Sequence, residues 1–331
     1  MRRDTKVAVF GGGSWATAIV KMLCEKVDLV GWYMRNTTAI EYIKEHSHNP
    51  NYLTSVEFKP GQLFLSDDLN ELAAYADIII FAIPSAFLNT ELSKLTVSLS
   101  DKMVFSAIKG IVPEAGLIVG EYLNEKHAIP FDNIGVIAGP CHAEEVAMER
   151  LSYLTVACQD ESKAKCLAEC LTSDYIFCKT SDDIIGTEYA AMLKNIYAIA
   201  AGIAHGLGYG DNYQAVLMSN AIREMKRYIK KVHKMKRNIN NSAYLGDLLV
   251  TGYSTFSRNR MFGNMIGKGY TVKSAMMEMK MVAEGYYAVK SAYEMNLING
   301  ARTPIIDTVY AVVYEGKSPR KHFKILSEKL D

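Results

Sequence analysis

The chain has no C-x-x-C pair, no long apolar run and almost no net charge, and each absence removes a class of protein. Its six cysteines, Cys24, Cys141, Cys158, Cys166, Cys170 and Cys178, are scattered, and a chain of 331 residues needs no disulfide staples to hold a core. A reducing cytoplasm is the expected location. The longest apolar stretch, residues 76–84, is far shorter than the roughly 20 residues that cross a bilayer, so no membrane insertion is expected. A formal charge of +1 gives no general affinity for nucleic acid or an acidic membrane, so an anionic ligand must be met by local charges. Repeats, low-complexity tracts and long linkers are also missing. Met1, Arg2 and Arg3 could open a processed leader, but Asp4 and a strand-like run a few residues later leave no room for one. His46 and His48 lack a clear cysteine or acid partner, so no metal is expected.

What is present is an ordinary globular composition, 49% hydrophobic and 22% charged, in a chain long enough for two domains. Strand-like runs at residues 6–10, 28–34, 76–83, 103–108 and 133–138 alternate with helical periodicity, and residues 154–158 and 175–179 would extend the sheet. This is the pattern of a parallel, doubly wound α/β domain. From about Thr187 the strand signals stop and long amphipathic stretches take over. The expected organisation is a Rossmann-type nucleotide domain at residues 1–186 and an all-α domain at 187–331, with the site in the cleft between them.

The first strand runs directly into Gly11-Gly12-Gly13-Ser14-Trp15-Ala16. Gly11 allows a tight turn, Gly13 lets backbone approach a phosphate, and the small Ala16 lets the next helix pack against the strand. That helix would present free N–H donors, so the segment reads as a dinucleotide pyrophosphate seat. The second strand usually ends in an acid that holds the adenosine ribose; here Arg35 stands in that region. A guanidinium there accommodates a 2′-phosphate, which favours NADP(H) over NAD(H) without excluding the latter. Alternatively, Arg35 is a solvated strand-end residue.

Further polar residues interrupt apolar surroundings. Lys109-Gly110 follows the fourth strand at its carboxyl end, where Lys109 either meets an anion or starts a surface turn. Gly139-Pro140-Cys141-His142-Ala143-Glu144 repeats the turn-into-helix pattern after the next strand. Lys194 and Asn195 lie in a helical stretch from about 187 to 204 that is apolar on nearly every side. Lys194 either snorkels to solvent or, desolvated near Lys109, has a depressed pKa suited to proton transfer. Asn195 could orient substrate hydroxyls. Gly246-Asp247, Thr251 and Ser257-Arg258-Asn259 form the densest polar cluster. Arg258 flanked by neutral donors suits a phosphate, Asp247 can pair with Lys194 or Lys109, and Ser257 can equally cap a helix. Glu284-Gly285 opens another helical stretch, where a carboxylate could accept from a nicotinamide amide or a ribose. The basic residues Lys226, Arg227, Lys230, Lys231, Lys234, Lys236 and Arg237 read as a solvated helix face, and no aromatic interleaving supports nucleic-acid binding.

In order and approximate spacing these segments, with Ile108-Lys109-Gly110, Leu193-Lys194-Asn195 and the loop from Gly206 to Asn212, resemble the soluble NAD(P)-dependent glycerol-3-phosphate dehydrogenases nearly end to end. The resemblance implies a Rossmann-type domain followed by a helical domain like that of 6-phosphogluconate dehydrogenase. It implies that Gly11, Gly13, Ser14, Trp15, Arg35, Lys109, Ala143, Arg258, Val282 and Glu284 bind the cofactor. Lys109, Gly139, Cys141, Lys194, Asn195, Asp247, Thr251, Ser257, Arg258 and Asn259 would bind substrate, and Lys194, Lys109 and Asp247 would be catalytic. The implied reaction is reversible reduction of dihydroxyacetone phosphate to sn-glycerol 3-phosphate for phospholipid synthesis, by a homodimer.

Three positions depart from the family pattern. Ala16 stands where glycine is usual, which the fingerprint tolerates; Cys141 stands where serine is usual, which weakens one substrate hydrogen bond; and Gly252 stands where cysteine is common after Thr251. The competing readings are a ketopantoate reductase or β-hydroxyacid dehydrogenase, whose substrates carry a carboxylate, and a non-catalytic dinucleotide sensor. The Ser257-Arg258-Asn259 cluster speaks against the former. The set of Lys109, Lys194, Asp247 and Arg258 speaks against the latter.

Overall fold

A computed structural model describes residues 5–279 and 283–331. The chain divides into two compact units, residues 1–108 with 117–184, and residues 109–116 with 185–331.

The first unit contains β1 (Val7–Phe10), α1 (Ser14–Leu23), β2 (Val30–Tyr33), α2 (Thr37–His46), β3 (Leu63–Ser66), α3 (Leu69–Tyr75), β4 (Ile78–Phe81), α4 (Ser85–Leu92) and β5 (Met103–Ser106). After β6 (Ile111–Val112), which belongs to the second unit, it continues with β7 (Leu117–Ile118), α5 (Val119–His127), β8 (Ile134–Ala138), α6 (Ala143–Ala147), β9 (Ser152–Cys158), α7 (Glu161–Leu171) and β10 (Ile176–Ser181). Eight strands form one sheet in the order β10-β9-β8-β5-β4-β1-β2-β3. The six from β8 to β3 are parallel to one another, so their carboxyl ends share one edge. Alternating side chains cover both faces. Val7, Val9, Trp32, Ile78 and Ile80 pack with Ile19, Val20 and Leu23 of α1, while Ala8 and Gly31 lie against Leu72 of α3 on the other face.

The parallel expectation needs one correction. Residues 154–158 and 175–179 do join the sheet, but β9 runs antiparallel to β8, with Gly135 opposite Cys158, and β10 is parallel to β9. The helix between β8 and β9 has only five residues. Such a helix climbs about 7.5 Å, less than half the roughly 16 Å of a five-residue strand, so it does not form the usual crossover along the sheet, and the chain turns back along β8. Strand β3 was not anticipated. It is four residues long and sits at the sheet edge, and its apolar run of Leu63, Phe64 and Leu65 is too short to stand out as a strand.

The second unit is helical. It comprises α8 (Ile184–Gly206), α9 (Asp211–Val232), α10 (Asp247–Tyr253), α11 (Arg258–Gly267), α12 (Val272–Glu278), α13 (Glu284–Asn299), α14 (Pro304–Val313) and α15 (Pro319–Ser327). Helix α8 is buried almost throughout, from Tyr189 to Ala204. Helix α11 lies against it so closely that a Cβ on Gly263 would overlap the Ile199 carbonyl, and one on Gly202 would overlap the Arg260 carbonyl. Without these glycines the helix carrying Arg258 and Asn259 could not approach the one carrying Lys194 and Asn195. Glu224 of α9, fully buried, accepts from the backbone N–H groups of Ile305 and Ile306 at 2.9 and 3.0 Å and so caps α14. Burial pushes its pKa up to about 8.

Candidate active site

In the first unit, the turn after β1 is shaped by backbone geometry. Gly11 has φ +139°, and a Cβ there would overlap the Ala82 carbonyl oxygen. The turn is pinned from β2 by Trp32 Nε1 donating to Gly11 O at 2.7 Å and by Gly11 N donating to Tyr33 O at 3.1 Å. Asn49, buried, donates to Thr17 Oγ1 at 2.9 Å and to Gly12 O at 3.4 Å. A Cβ on Gly13 would meet nothing within 4 Å, so the outer face of the turn is open. Helix α1 has no side-chain cap and no acid in its first turn, while α2, α3 and α7 are capped by Asn36, Asp68 and Asp160. A rigid turn feeding uncapped, neutral N–H donors at the positive end of a helix fits the diphosphate of a dinucleotide. Ser14 is buried and Trp15 half-buried at this helix start.

Arg35 lies two residues beyond β2 at the same edge, exposed, with Nη1 3.4 Å from Glu91 Oε1. Gly139, φ +124°, makes the turn after β8 and stands where a Cβ would crowd the Tyr153 carbonyl. Cys141 is 4% exposed, and Ala143 opens α6, another helix without a side-chain cap.

In the second unit, Lys194 and Asp247 form a buried ion pair, Nζ to Oδ1, with side chains 4% and 1% exposed. This decides the sequence alternatives: Lys194 does not reach solvent, and Asp247 pairs with it. Burial pushes the Lys194 pKa down and Asp247 pulls it back up, while the adjacent Lys109 pushes it down again, leaving it at about 7. Asp247 Oδ2 is buried and has no hydrogen-bond partner among the described residues. The centre therefore holds a lysine with a near-neutral pKa and an unpartnered carboxylate oxygen, both buried.

The neighbouring polar residues hold this centre in place. Asn195 Nδ2 donates to the Lys109 carbonyl at 2.9 Å, and Asn259 Oδ1 accepts from Gly285 N at 2.9 Å, which fixes the start of α13 beside Glu284. Thr251 Oγ1 donates to the Asp247 carbonyl at 2.6 Å. Ser257 caps α11, accepting from Arg260 N at 3.3 Å. Arg258 is the first residue of that helix, half-buried, and no hydrogen bond or ion pair among the described residues occupies its guanidinium. Val282 lies outside the described residues. Of the basic run, Lys226, Lys230, Lys231, Lys234 and Lys236 are exposed and Arg227 and Arg237 half-buried.

Sequence reasoning missed Asn49, whose signal was the Asn-Pro pair it forms with Pro50, and Glu91, Lys94 and Phe87 of the α4 region. An exposed-looking helix gives no hint that one of its acids is buried.

An open glycine turn at the carboxyl edge of a parallel sheet, joined in one chain to a helical unit that holds a buried lysine–aspartate pair, fits a nicotinamide-dinucleotide oxidoreductase. Residues 6–164 match the family described as NAD-dependent glycerol-3-phosphate dehydrogenase N-terminus, and residues 183–324 match its C-terminus. The chain is 32% identical over 326 residues to glycerol-3-phosphate dehydrogenase [NAD(P)+] of Staphylococcus epidermidis, covering 98% of each chain. It is 34% identical to glycerol-3-phosphate dehydrogenase [NAD(P)+] 1 of Salinibacter ruber, covering 97% of this chain and 95% of that one. The crystal structure of glycerol-3-phosphate dehydrogenase from Coxiella burnetii superposes with a TM-score of 0.90 at 26% identity, over 98% of this chain and 99% of that one. The chain belongs to the NAD-dependent glycerol-3-phosphate dehydrogenase family and is an oxidoreductase. No helix among the described residues is long and apolar enough to cross a membrane.

Proposed function

We propose that this enzyme reduces dihydroxyacetone phosphate to sn-glycerol 3-phosphate, reversibly, and that NADPH is preferred over NADH. The observation that carries the reading is the buried Lys194–Asp247 pair beside Lys109, with Asp247 Oδ2 left to accept from a substrate hydroxyl. The bound dinucleotide supplies the hydride. Lys194 Nζ gives a proton to the carbonyl oxygen as it gains negative charge, and at a pKa of about 7 it is poised to give the proton and to take it back. Asp247 holds that ammonium in place, and Lys109 adds positive charge for the developing oxyanion. Arg258, unoccupied by any internal carboxylate, offers a planar fork to the substrate phosphate.

The remaining roles follow the same reading. Gly11, Gly13, Ser14, Trp15, Arg35 and Ala143 hold the dinucleotide, with Lys109, Arg258, Val282 and Glu284 also at the cofactor. Gly139, Cys141, Asn195, Thr251, Ser257 and Asn259 border the substrate, the last four chiefly by fixing backbone and helix starts. The nucleotide domain is residues 1–186 and the substrate domain 187–331, working as a cytoplasmic homodimer that supplies phospholipid synthesis. Initial rates of NADPH and NADH oxidation with dihydroxyacetone phosphate, dihydroxyacetone and ketopantoate test the reaction. Turnover should require the phosphorylated ketone. Arg258→Ala should raise its KM by roughly tenfold to a hundredfold with far less effect on the unphosphorylated ketone; equal losses on both would refute the phosphate role.

A further inference from the structure

Behind Arg35 lies a charge cluster that neither the fold nor the chemistry of reduction requires. Glu91 of α4 is buried, its side chain 1% exposed, yet it serves three partners. Tyr33 Oη donates to Oε2 at 2.6 Å, Lys94 Nζ lies 2.9 and 3.0 Å from the two carboxylate oxygens, and Arg35 Nη1 lies 3.4 Å from Oε1. The Arg35 guanidinium also sits over the Phe87 ring, 5.3 Å from its centroid. Both cations keep half their side-chain surface in water, 56% for Arg35 and 50% for Lys94. Burial alone would raise the Glu91 pKa, but the bonds from Tyr33 and Lys94 and the charge of Arg35 outweigh it and hold the carboxyl below its ordinary value. The group is therefore anionic at neutral pH.

This arrangement alters the usual logic of the site. An acid at the end of the second strand selects a ribose 2′-hydroxyl, and an arginine there accepts a 2′-phosphate. Here the arginine stands in front and the acid behind it, one helix away. Arg35, Lys94 and Glu91 together carry +1, and Asp67, just beyond β3, adds a negative charge within range of Tyr33. A 2′-phosphate approaching Arg35 meets a guanidinium already shared with Glu91, backed by a second cation at Lys94.

We propose that Glu91 and Lys94, acting through Arg35, set the preference between phosphorylated and unphosphorylated adenosine ribose, Glu91 weakening the pull on a 2′-phosphate and Lys94 restoring it. They are positioning and charge-setting residues, and the inference rests on the reading of the β1–α1 turn as a dinucleotide seat. It makes the preference graded, tunable in both directions from side chains that need not touch the ligand.

The test is calorimetric titration of the full chain with adenosine 2′,5′-bisphosphate and with adenosine 5′-monophosphate, reading the ratio of the two dissociation constants. Glu91→Gln keeps the shape and an acceptor for Tyr33 while removing the charge, and should increase the preference for the bisphosphate by about threefold to tenfold. Lys94→Met, at an exposed position, should decrease it by a similar factor. Adding Arg35→Ala to either variant should erase the difference. A merely structural role would move both ligands together and leave the ratio alone. Ratios that do not change, or that change in the same direction in both variants, would overturn the proposal while leaving the dinucleotide seat intact. If neither nucleotide binds the parent chain, the seat itself is wrong and the proposal falls with it. Lys94→Met decides the matter alone if Glu91→Gln does not fold.

Discussion

The two carboxylate–cation clusters of this enzyme use the same chemical groups and differ in where water stops. In the Lys194–Asp247 pair both side chains are sealed, at 4% and 1% exposure. Around Glu91 only the carboxylate is sealed, and both cations reach solvent. In the first case desolvation acts on the ammonium and moves its pKa to about 7, which suits the proton transfer proposed for it. In the second both cations stay in contact with water, which suits the cluster to acting on a ligand outside it, as proposed. Burial, more than residue identity, separates the two proposed roles.

Breaking the sealed pair should have the largest effect. Lys194→Met should lower kcat/KM for the reduction by roughly a hundredfold to ten-thousandfold while leaving the affinity for adenosine nucleotides within about twofold. It also strands Asp247, so thermal stability should fall, and replacing Asp247 with leucine in the same chain should recover most of the loss, because an unpaired buried charge costs more than an apolar substitute for the pair. Near-normal turnover by Lys194→Met would remove the lysine from the chemistry.

Asp247→Asn sharpens the same contrast with a smaller loss, about tenfold to a hundredfold at pH 7. Asp247 raises the Lys194 pKa, so its neutralisation should drop that pKa below about 7 and move the alkaline limb of the reductive pH profile to lower pH. A limb that stays in place, or moves to higher pH, would assign the titration to another group. The parent pair has a stability signature as well. Its lysine binds fewer protons in the folded state than in the unfolded chain between about pH 7 and 10.5, so its contribution to stability improves as pH rises through that window. In Lys194→Met that slope should be missing.

How far the sequence reached follows the same division. The β1–α1 turn was legible because glycine at a φ of +139° leaves a sequence mark, and Lys194 because a charge in an apolar helix does. The antiparallel return of β9 was hidden in the short helix α6, and β3 in its four-residue length. The Glu91 cluster was illegible because Glu91 lies more than fifty residues from Tyr33 and Arg35, and only the sheet order β4-β1-β2 places α4 next to the end of β2. Asn195, Thr251, Ser257 and Asn259 were recognisable as polar residues in apolar surroundings. The cap that Ser257 makes was one of its two expected uses, but the bonds that Asn195, Thr251 and Asn259 make with backbone were not legible.

The smallest predicted effect separates the two clusters without any mutation. Salt screens charges that share solvent and leaves sealed pairs largely untouched, since the Debye length shrinks from about 10 Å at 0.1 M to about 3 Å at 1 M. The preference for adenosine 2′,5′-bisphosphate over the 5′-monophosphate should therefore decline severalfold between those ionic strengths, as the hydrated cations Arg35 and Lys94 lose reach. The alkaline limb set by Lys194 should hold within a few tenths of a pH unit over the same range. A limb that moves with salt would show that solvent ions reach the lysine, and a preference that ignores salt would place the selecting charge inside the protein, away from Arg35.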